Sequence, residues 1–431
     1  MKDNSKQSLI DITASSSWWK SVINLLNAST QQSRDTSETV SFLSCILIEK
    51  NDDGTFLHAE SDVSTTYVIV DNEEVQVNGD EGKYLIKSST LSSQFSSFPD
   101  DVDVTLSIDK EGEVSLYTDD NTILFTSLTE VLLNEDATPD AKNDFPEDCL
   151  VFTCDVSDLL YSYKMGSSMV KPKDKDISTS YDTLSGCLVT ISDDGMNIMS
   201  ASASSAETLI EGKVQKFGKL EKKKKPILSS LTMPDATISV LSKFKQSEEI
   251  EVCIDDEGFI HLDNGISHVV VSPLNTNSSK IRLNYDLIMG VMSPAWKNRI
   301  VTVSLPSNQL KEALSRAGSV HGDIINLAIS GSTTKVSSKN SENLVNTPFS
   351  QKISCNTIWH DDEEAFFEID LKYSILKKVY TMSPQNGEFV FDVAINPKNG
   401  NPWAIVVHTG EEFDHKKPHN FFVLNALQLS R

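Results

Sequence analysis

Alternating hydrophobic and polar residues mark a hairpin that occurs twice along the chain. In "VDVTLSIDKEGEVSL" (102–116) every second residue is apolar on both sides of an Asp-x-Glu-Gly turn. This period of two predicts two antiparallel strands with one buried face, and the glycine supplies the positive φ that the turn needs. The segment 98–128 aligns without a gap on 244–274, with seven of 31 positions identical. So long a gapless match favours duplication over a chance likeness between hairpins.

A second hairpin pattern repeats in the same way. Residues 42–64 resemble residues 183–205, and both segments carry Asp-Asp-Gly at the turn. The segment 325–342 is a shorter third version, and 387–409 is a third version of the first hairpin. The chain is therefore predicted to hold three copies of one unit of about 145 residues, each with two related hairpins.

Apolar residues at helical spacing precede these hairpins. In 307–318, Leu310, Ala313 and Leu314 form one apolar stripe, with an Asn/Ser start and a glycine stop. The Ser-rich segment 88–98 has poor helix propensity and is predicted to be helical by analogy. The six predicted helical segments are 14–27, 88–98, 155–168, 234–246, 307–318 and 370–382.

The pattern predicts an α+β fold of three tandem domains, each with two helices backed by antiparallel sheets. Polar or basic stretches separate the copies. The predicted domains are residues 1–132, 145–275 and 298–431.

Composition adds a compartment and a redox state. The 431 residues contain no apolar run of about 18 residues, and the N-terminus lacks the apolar core of a signal peptide. We therefore expect no membrane contact and a cytoplasmic location. The six cysteines form no CxxC pair, and Cys45, Cys187 and Cys253 lie in apolar strand-like runs. They are expected to be reduced and buried rather than metal ligands or disulfides.

The net charge of −24 argues against nucleic acid if it is spread evenly, because phosphate repels an acidic surface. The six predicted helical segments, however, together carry a net charge of +4. Basic residues on helices are often only solvated, so this bias leaves both interpretations open. The Lys-rich segment 213–225, with a net charge of +6, is either a flexible phosphate contact or a solubilising insertion.

Catalytic motifs are missing from the sequence. It contains no P-loop, GxGxxG, HExxH or GxSxG pattern. His360 followed by four acidic residues (361–364) could form a metal cluster, but a solvated loop is favoured. The Asp-Asp-Gly turns lack the spaced ligands of an EF-hand. We therefore expect a non-enzymatic protein without a cofactor or a metal.

The ordered set of weak matches resembles the bacterial DNA polymerase III β sliding clamp over roughly residues 8–429. The likeness is clearest in "VSLPSNQLKEALSRAGSV", in "FFEIDLKYSILKKVYTM" and in the terminal "FFVLNALQL". It implies three clamp domains per chain and a head-to-tail homodimer that closes into a ring around duplex DNA. It further implies a non-catalytic processivity factor that tethers a DNA polymerase and is placed on DNA by a clamp loader.

The resemblance also implies two kinds of site. The DNA contacts, made to phosphate without reading the base sequence, would be Lys20, Arg34, Lys164, Lys243, Lys245, Lys311, Arg316, Lys372 and Lys377. The cleft for partner peptides would involve Tyr161, Ser200, Ala201, Ser202, Val423, Asn425, Ala426, Leu427, Gln428 and Leu429.

The sequence departs from the clamp pattern in this cleft. "SASASSA" (200–206) replaces a TDGHRL-like turn, and "NAL" (425–427) replaces Met-Pro-Met. The basic pair expected near Asp235 is also missing. These departures indicate a divergent clamp, for example a viral or plasmid-encoded one, and put binding of standard clamp peptides in doubt.

Two other functions compete with the clamp. One is a repeat-built, β-rich structural or scaffold protein that does not touch DNA. The other is an enzyme that uses the acidic cluster around Asp361 and Glu363, which is the least favoured of the three.

Overall fold

The computed structural model describes residues 8–30, 42–70, 73–109, 113–119, 122–126, 146–170, 186–201, 204–212, 214–222, 227–274, 296–320, 323–339, 349–360, 366–381, 387–395, 402–409 and 420–425. The chain divides into two compact units. Unit 1 comprises Met1–Leu160, Ile191–Asp194 and Gly212–Pro273, and unit 2 comprises Tyr161–Thr190, Gly195–Glu211 and Leu274–Arg431.

Each of the six predicted helical segments contains a helix in the described part of the chain. The helices are α1 (Ser16–Ala28), α2 (Ser88–Phe95), α3 (Val156–Gly166), α4 (Pro234–Leu241), α5 (Ser307–Ser319) and α6 (Tyr373–Thr381). Several are shorter than predicted, and α4 ends five residues before the predicted limit at 246.

The strands are β1 (Ser8–Ser15), β2 (Cys45–Asn51), β3 (Gly54–Glu60), β4 (Ser64–Ile69), β5 (Gln76–Gly79), β6 (Gly82–Lys87), β7 (Asp103–Asp109), β8 (Glu113–Tyr117), β9 (Thr122–Thr126), β10 (Leu150–Asp155), β11 (Cys187–Ser192), β12 (Gly195–Ala201), β13 (Ser205–Glu211), β14 (Val214–Lys216), β15 (Leu228–Thr232), β16 (Glu249–Ile254), β17 (Ile260–Asp263), β18 (Ser267–Val271), β19 (Arg299–Pro306), β20 (Ile324–Ser330), β21 (Thr333–Lys339), β22 (Phe349–Ser354), β23 (Asn356–Trp359), β24 (Phe367–Lys372), β25 (Glu388–Ile395), β26 (Pro402–Thr409) and β27 (Phe421–Asn425).

Unit 1 holds two antiparallel sheets, with strand orders β5-β1-β7-β8-β9 and β14-β10-β16-β17-β18-β4-β3-β2-β6. Helices α1 and α2 pack against their apolar faces. Trp19 on α1 is 1 % exposed, stacks on Phe95 of α2 with ring centroids 4.8 Å apart, and donates Nε1–H to the Val104 carbonyl at 3.1 Å. The indole thus supplies apolar area to the core while its polar N–H stays satisfied.

Unit 2 contains the strand run β12-β13-β27-β26-β25-β19-β23 and the separate sheet β22-β21-β20-β24. Leu310, Leu314 and Ala317 of α5 are fully buried in its core. Helices α5 and α6 approach closely at Gly318, where a Cβ would lie 2.0 Å from the Tyr373 hydroxyl. A side chain at position 318 would therefore require the Tyr373 side chain to move.

The predicted hairpins are confirmed. Strands β7 and β8 pair through Ile108 and Val114, and β16 and β17 pair through Ile254 and Ile260 at the matching repeat positions. All six cysteines are free thiols, and Cys45, Cys187 and Cys253 are buried in strands as expected. Among the described residues, no helix is long and apolar enough to cross a membrane.

Candidate nucleic-acid interface

Helix α1 of unit 1 presents one of the predicted DNA contacts. The Ser15 hydroxyl caps the helix by accepting the Trp18 N–H at 3.2 Å. Lys20 lies beside the buried stripe, and its ammonium donates to the Phe98 carbonyl and to Asp100 Oδ1, both at 2.6 Å. Two of its three donors are therefore already used within the protein.

Two further predicted DNA contacts of unit 1 lie beyond the end of helix α4. Pro234 occupies the first turn of α4, where its missing N–H costs nothing, and the helix ends at Leu241. Lys243 and Lys245 follow in the next turn, and both are exposed. They were predicted as helix residues, but they belong to the turn between α4 and β16. Helix α2 carries no charged residue.

Two predicted site residues lie on α3. Lys164 is half-buried in the last turn, where a positive charge is favourable beside the unpaired carbonyls. Tyr161 is 45 % exposed. Burial raises the pKa of its phenol, so the hydroxyl stays protonated at neutral pH.

Helix α5 of unit 2 separates its faces as its sequence predicts. Leu310 and Leu314 are fully buried, whereas Lys311 is half-buried and Arg316 is exposed. The Arg316 guanidinium forms an ion pair with Glu312 one turn earlier. Because both side chains are more than half exposed, this pair holds the guanidinium weakly and an external phosphate can compete for it.

Helix α6 carries two adjacent lysines. Leu376 and Val379 are buried, and Lys377 is exposed on another face. Burial lowers the pKa of the neighbouring Lys378. Lys372 is the last residue of β24 and is exposed, so it is a strand residue and not, as predicted, part of the helix.

Apart from Lys372 at the end of strand β24, the predicted contacts that the structure describes lie on helices or in the turn after α4, and the apolar faces of the helices enter the cores. Ammonium and guanidinium groups in this setting contact phosphate oxygens and read no base sequence. Arg34 lies outside the described residues. Whether the other eight contact DNA stays a prediction.

Part of the predicted peptide cleft comes together in unit 2. Ala201 of β12 pairs with Ser205 of β13, which pairs with Val423 of β27. Ser200 is fully buried, and its hydroxyl donates to the Gly166 carbonyl at 2.5 Å and accepts the Met169 N–H at 3.1 Å. It therefore fastens the end of α3 to β12, and its hydroxyl is already committed.

The remaining cleft residues are described in part or not at all. Asn425 pairs with Ala404 through its backbone, and nothing is described of its side chain. Ser202, Ala426, Leu427, Gln428 and Leu429 lie outside the described residues.

Asn420 and Glu207 are two structural residues beside this cleft that sequence analysis missed. Asn420 has a φ of 58°, a conformation that Asn tolerates better than most residues. Its N–H donates to Glu207 Oε2 at 2.9 Å, and its Oδ1 accepts from the Thr208 hydroxyl at 2.7 Å and the Leu209 N–H at 3.1 Å. These bonds fix the start of β27 against β13. The only sequence signal is an Asn placed directly before an apolar strand.

In the part of the chain that the structure describes, no group of three or more His, Cys, Asp or Glu could hold a metal ion. His360 accepts a hydrogen bond from Arg299 Nε at 3.0 Å and lies 2.8 Å from the Thr302 hydroxyl. The acidic residues 361–364 after it are outside the described residues.

No protein-family model matches the chain, and no curated protein matches its sequence. Solved structures do match it. The sliding clamp (DNA polymerase III subunit β) of Pseudomonas aeruginosa superposes with a TM-score of 0.72 at 13 % identity, covering 97 % of this chain and 100 % of that one. The DNA polymerase III β subunit of Thermotoga maritima gives 0.69 at 12 % identity, covering 98 % and 100 %. The Helicobacter pylori β clamp gives 0.69 at 13 % identity, covering 97 % and 100 %. The chain therefore has the fold of the bacterial DNA polymerase III β sliding clamp, carried by a strongly divergent sequence.

Proposed function

We propose that this protein is a sliding clamp: a non-catalytic, cytoplasmic processivity factor that encircles duplex DNA as a head-to-tail homodimer and tethers a DNA polymerase. The match to clamp structures along nearly the whole chain supports the fold on which this rests. The observation that carries the proposal further is the pairing of the outer strands of the repeats.

Two strand pairs join successive copies of the repeat. In unit 1, β18 of the second copy pairs with β4 of the first copy, from Ser267–Val68 to Val271–Ser64. In unit 2, β27 of the third copy pairs with β13 of the second copy. At each joint, the last strand of one copy (β18 or β27) pairs with the third strand of the first three-stranded set in the preceding copy (β4 or β13).

The counterparts of these strands are β9 in the first copy and β22 in the third. Both are end strands of their sheets in the part of the chain that the structure describes. An end strand exposes a row of backbone donors and acceptors that favours pairing with another strand. A second chain supplies the missing partner on each side, so β9 of one chain would pair with β22 of the next, and two chains would satisfy both ends.

The strand register indicates which atoms would meet. Across the joint in unit 1, the Ile69 N–H donates to the Ile266 carbonyl at 2.9 Å. Ile69 of β4 lies opposite Phe56, the third residue of β3, and Lys352 of β22 lies opposite Lys335, the third residue of β21. Because β3 and β21 are the second strands of matching hairpins, Ile69 and Lys352 occupy matching positions. Lys352 is exposed, and its N–H is thus the predicted donor to the neighbouring chain.

The charge distribution supports DNA as the molecule enclosed. The helical segments are net basic in a chain of net charge −24, so phosphate is attracted to the helices and repelled elsewhere. Contacts that do not read bases suit sliding. A clamp loader would be the partner that opens the dimer. The departures from the clamp pattern at residues 200–206 and 425–427 favour peptide partners different from those of standard clamps.

The dimer is tested by mass in solution. Sedimentation equilibrium should give twice the 47.6 kDa chain mass. Lys352→Pro removes the predicted donor and should give a folded monomer, whereas Lys352→Ala keeps the N–H and should remain dimeric. A wild-type monomer, or equal masses for the two variants, would contradict the proposed joint.

Encirclement is tested with linear duplex DNA fixed to beads at one end. Protein threaded over the free end, which is then blocked with streptavidin, should resist a high-salt wash and leave when a restriction enzyme cuts the DNA. The scaffold alternative predicts that no protein is retained on the DNA after the wash, whether or not the free end is blocked. Binding that salt removes despite the blocked ends would indicate ordinary electrostatic association and exclude a closed ring.

A further inference from the structure

Two aspartates flank strand β17, Asp255 in the turn before it and Asp263 at its last position, and each aspartate shapes a turn. Asp255 Oδ1 accepts the N–H groups of Glu257 at 3.0 Å and Phe259 at 2.8 Å. Asp263 Oδ1 accepts the Gly265 N–H at 2.5 Å. Each carboxylate thus uses one oxygen for its own turn and keeps the second oxygen for another contact.

Two histidines connect these second oxygens. His261 Nε2 lies 3.2 Å from Asp255 Oδ2, and His268 Nδ1 lies 2.9 Å from Asp263 Oδ2. The remaining ring nitrogens, His261 Nδ1 and His268 Nε2, face each other at 3.1 Å. The His268 side chain is 1 % exposed and that of His261 is 10 % exposed, so water has little access to either ring.

The three contacts require three protons. A carboxylate oxygen and a bare ring nitrogen only accept, so every contact in the row needs one hydrogen between its two atoms. With both carboxylates ionised, the two rings must carry all three. Two neutral imidazoles carry only two, and one contact would then bring two acceptors together in a buried place, which is costly.

Nearby charges favour a cation here. Burial acts to raise the pKa of Asp255, but the hydrogen bonds from His261 and the turn amides together outweigh it and hold the pKa below its usual range. On the neighbouring strands, the titratable groups that share this side of the sheet include Glu249, Glu251 and Cys253 on β16, Tyr67 on β4, and His58 and Glu60 on β3. Cys149 lies next to Cys253. None of these is a cation at neutral pH.

We infer that His261 and His268 share one proton as an imidazole–imidazolium pair held between Asp255 and Asp263, and that this proton locks strands β16, β17 and β18. Strand β18 is the one that pairs with β4. The shared proton therefore supports the joint between the first two copies of the repeat. In the first copy, Ser115 and Thr122 stand at the positions of His261 and His268, so the lock belongs to one copy only.

The sign of the pH effect follows from the proton count. A free histidine loses its extra proton above about pH 6.5. A folded chain that keeps a proton there binds more protons than the unfolded chain, so its stability falls as pH rises. One proton corresponds to a change of up to about tenfold in the unfolding equilibrium constant per pH unit.

The direct test is NMR of the ¹⁵N-histidine-labelled full chain, without DNA, from pH 5.5 to 8.5. The proposal expects three protonated nitrogens among the four of these two rings at pH 7.5. Single variants His261→Gln and His268→Gln assign the signals. Two neutral rings at pH 7.5 would contradict the shared proton. A signal pattern that appears only with added Zn²⁺ and disappears with EDTA would show that the pair binds a metal ion, and would contradict the shared proton as well.

Urea unfolding at pH 6.5 and pH 8.5 gives the second readout. The double variant His261→Ser with His268→Thr installs the residues of the first copy, and its unfolding constant should change less between the two pH values than that of the wild type. His360→Gln, at an exposed histidine, should leave the wild-type pH dependence unchanged. Equal pH dependence in the double variant and the wild type would overturn the proposal. Both tests use the isolated chain, so their outcome is independent of the sliding-clamp proposal.

Discussion

Asp109 and Asp255, which occupy matching positions in two copies of the repeat, make the same hydrogen bond. Each Oδ1 accepts the backbone N–H of the residue four positions later, Glu113 at 2.9 Å and Phe259 at 2.8 Å. The Asp-x-Glu-Gly motif is thus a turn whose first residue closes it with its own side chain. The first aspartate of this motif is therefore structural in both copies.

Removing these carboxylates should destabilise the protein unequally. Asp109→Ala loses a turn-closing bond and should lower the free energy of unfolding by about 1 kcal/mol. Asp255→Ala also leaves His261 without its acceptor and should cost about 2–3 kcal/mol. Urea unfolding measures both. Asp109→Asn keeps an Oδ1 acceptor and should stay near wild type, and equal losses for the two alanine variants would contradict the assignment.

The predicted DNA contacts should differ in strength. Lys377 is exposed, whereas the ammonium of Lys20 is bonded to Phe98 and Asp100. Lys377→Ala should therefore weaken DNA association more than Lys20→Ala and reduce the slope of log K against log salt by about 1. The salt dependence of DNA binding measures this. Equal effects of the two substitutions would show that the intramolecular bonds of Lys20 do not compete with phosphate.

Ser200 should matter for stability more than its size indicates. Ser200→Ala leaves the Gly166 carbonyl and the Met169 N–H without their partner and should cost about 1–3 kcal/mol in urea unfolding. Ser315→Ala, at an exposed position of α5, is the control and should change little. A neutral Ser200→Ala variant would contradict this role of the hydroxyl.

His58 should make the protein sensitive to acid. Burial lowers the pKa of its imidazole to about 4, because the charged form is disfavoured in the packed position against Tyr67. The unfolded chain protonates this group near pH 6.5 and the folded chain only near pH 4, so its contribution is present above pH 6.5 and lost on acidification. His58→Gln should remove up to about 3 kcal/mol of the loss between pH 6.5 and 4.

The acid dependence is measured by urea unfolding at pH 6.5, 5 and 4. Comparing the variant with the wild type isolates His58 from the carboxylates that also titrate there. A variant as acid-sensitive as the wild type would contradict the assignment. The His58 effect lowers stability as the pH falls from 6.5 to 4, whereas the effect of the His261–His268 pair lowers stability as the pH rises above 6.5. The two effects therefore act in different pH ranges.

Local sequence patterns predicted much of the fold. The alternation in 102–116 and the stripe of Leu310, Ala313 and Leu314 predicted a hairpin and a helix that both exist, because strand and helix periods are properties of neighbouring residues. Helix ends were less predictable. Lys372 lies on a strand, because its backbone pairs with Ile324, and Lys243 lies in the turn that follows α4.

The sequence by itself determined the repeat, the α+β class and the bias of basic residues toward the helices, since all three are visible in residue order and charge. Only the tertiary structure decided what the polar side chains do. Ser200 fastens a helix end, Asn420 binds a strand more than 200 positions earlier, and His261 faces His268. Such contacts depend on the register between paired strands, and strand register is a property of the folded chain that no local pattern contains.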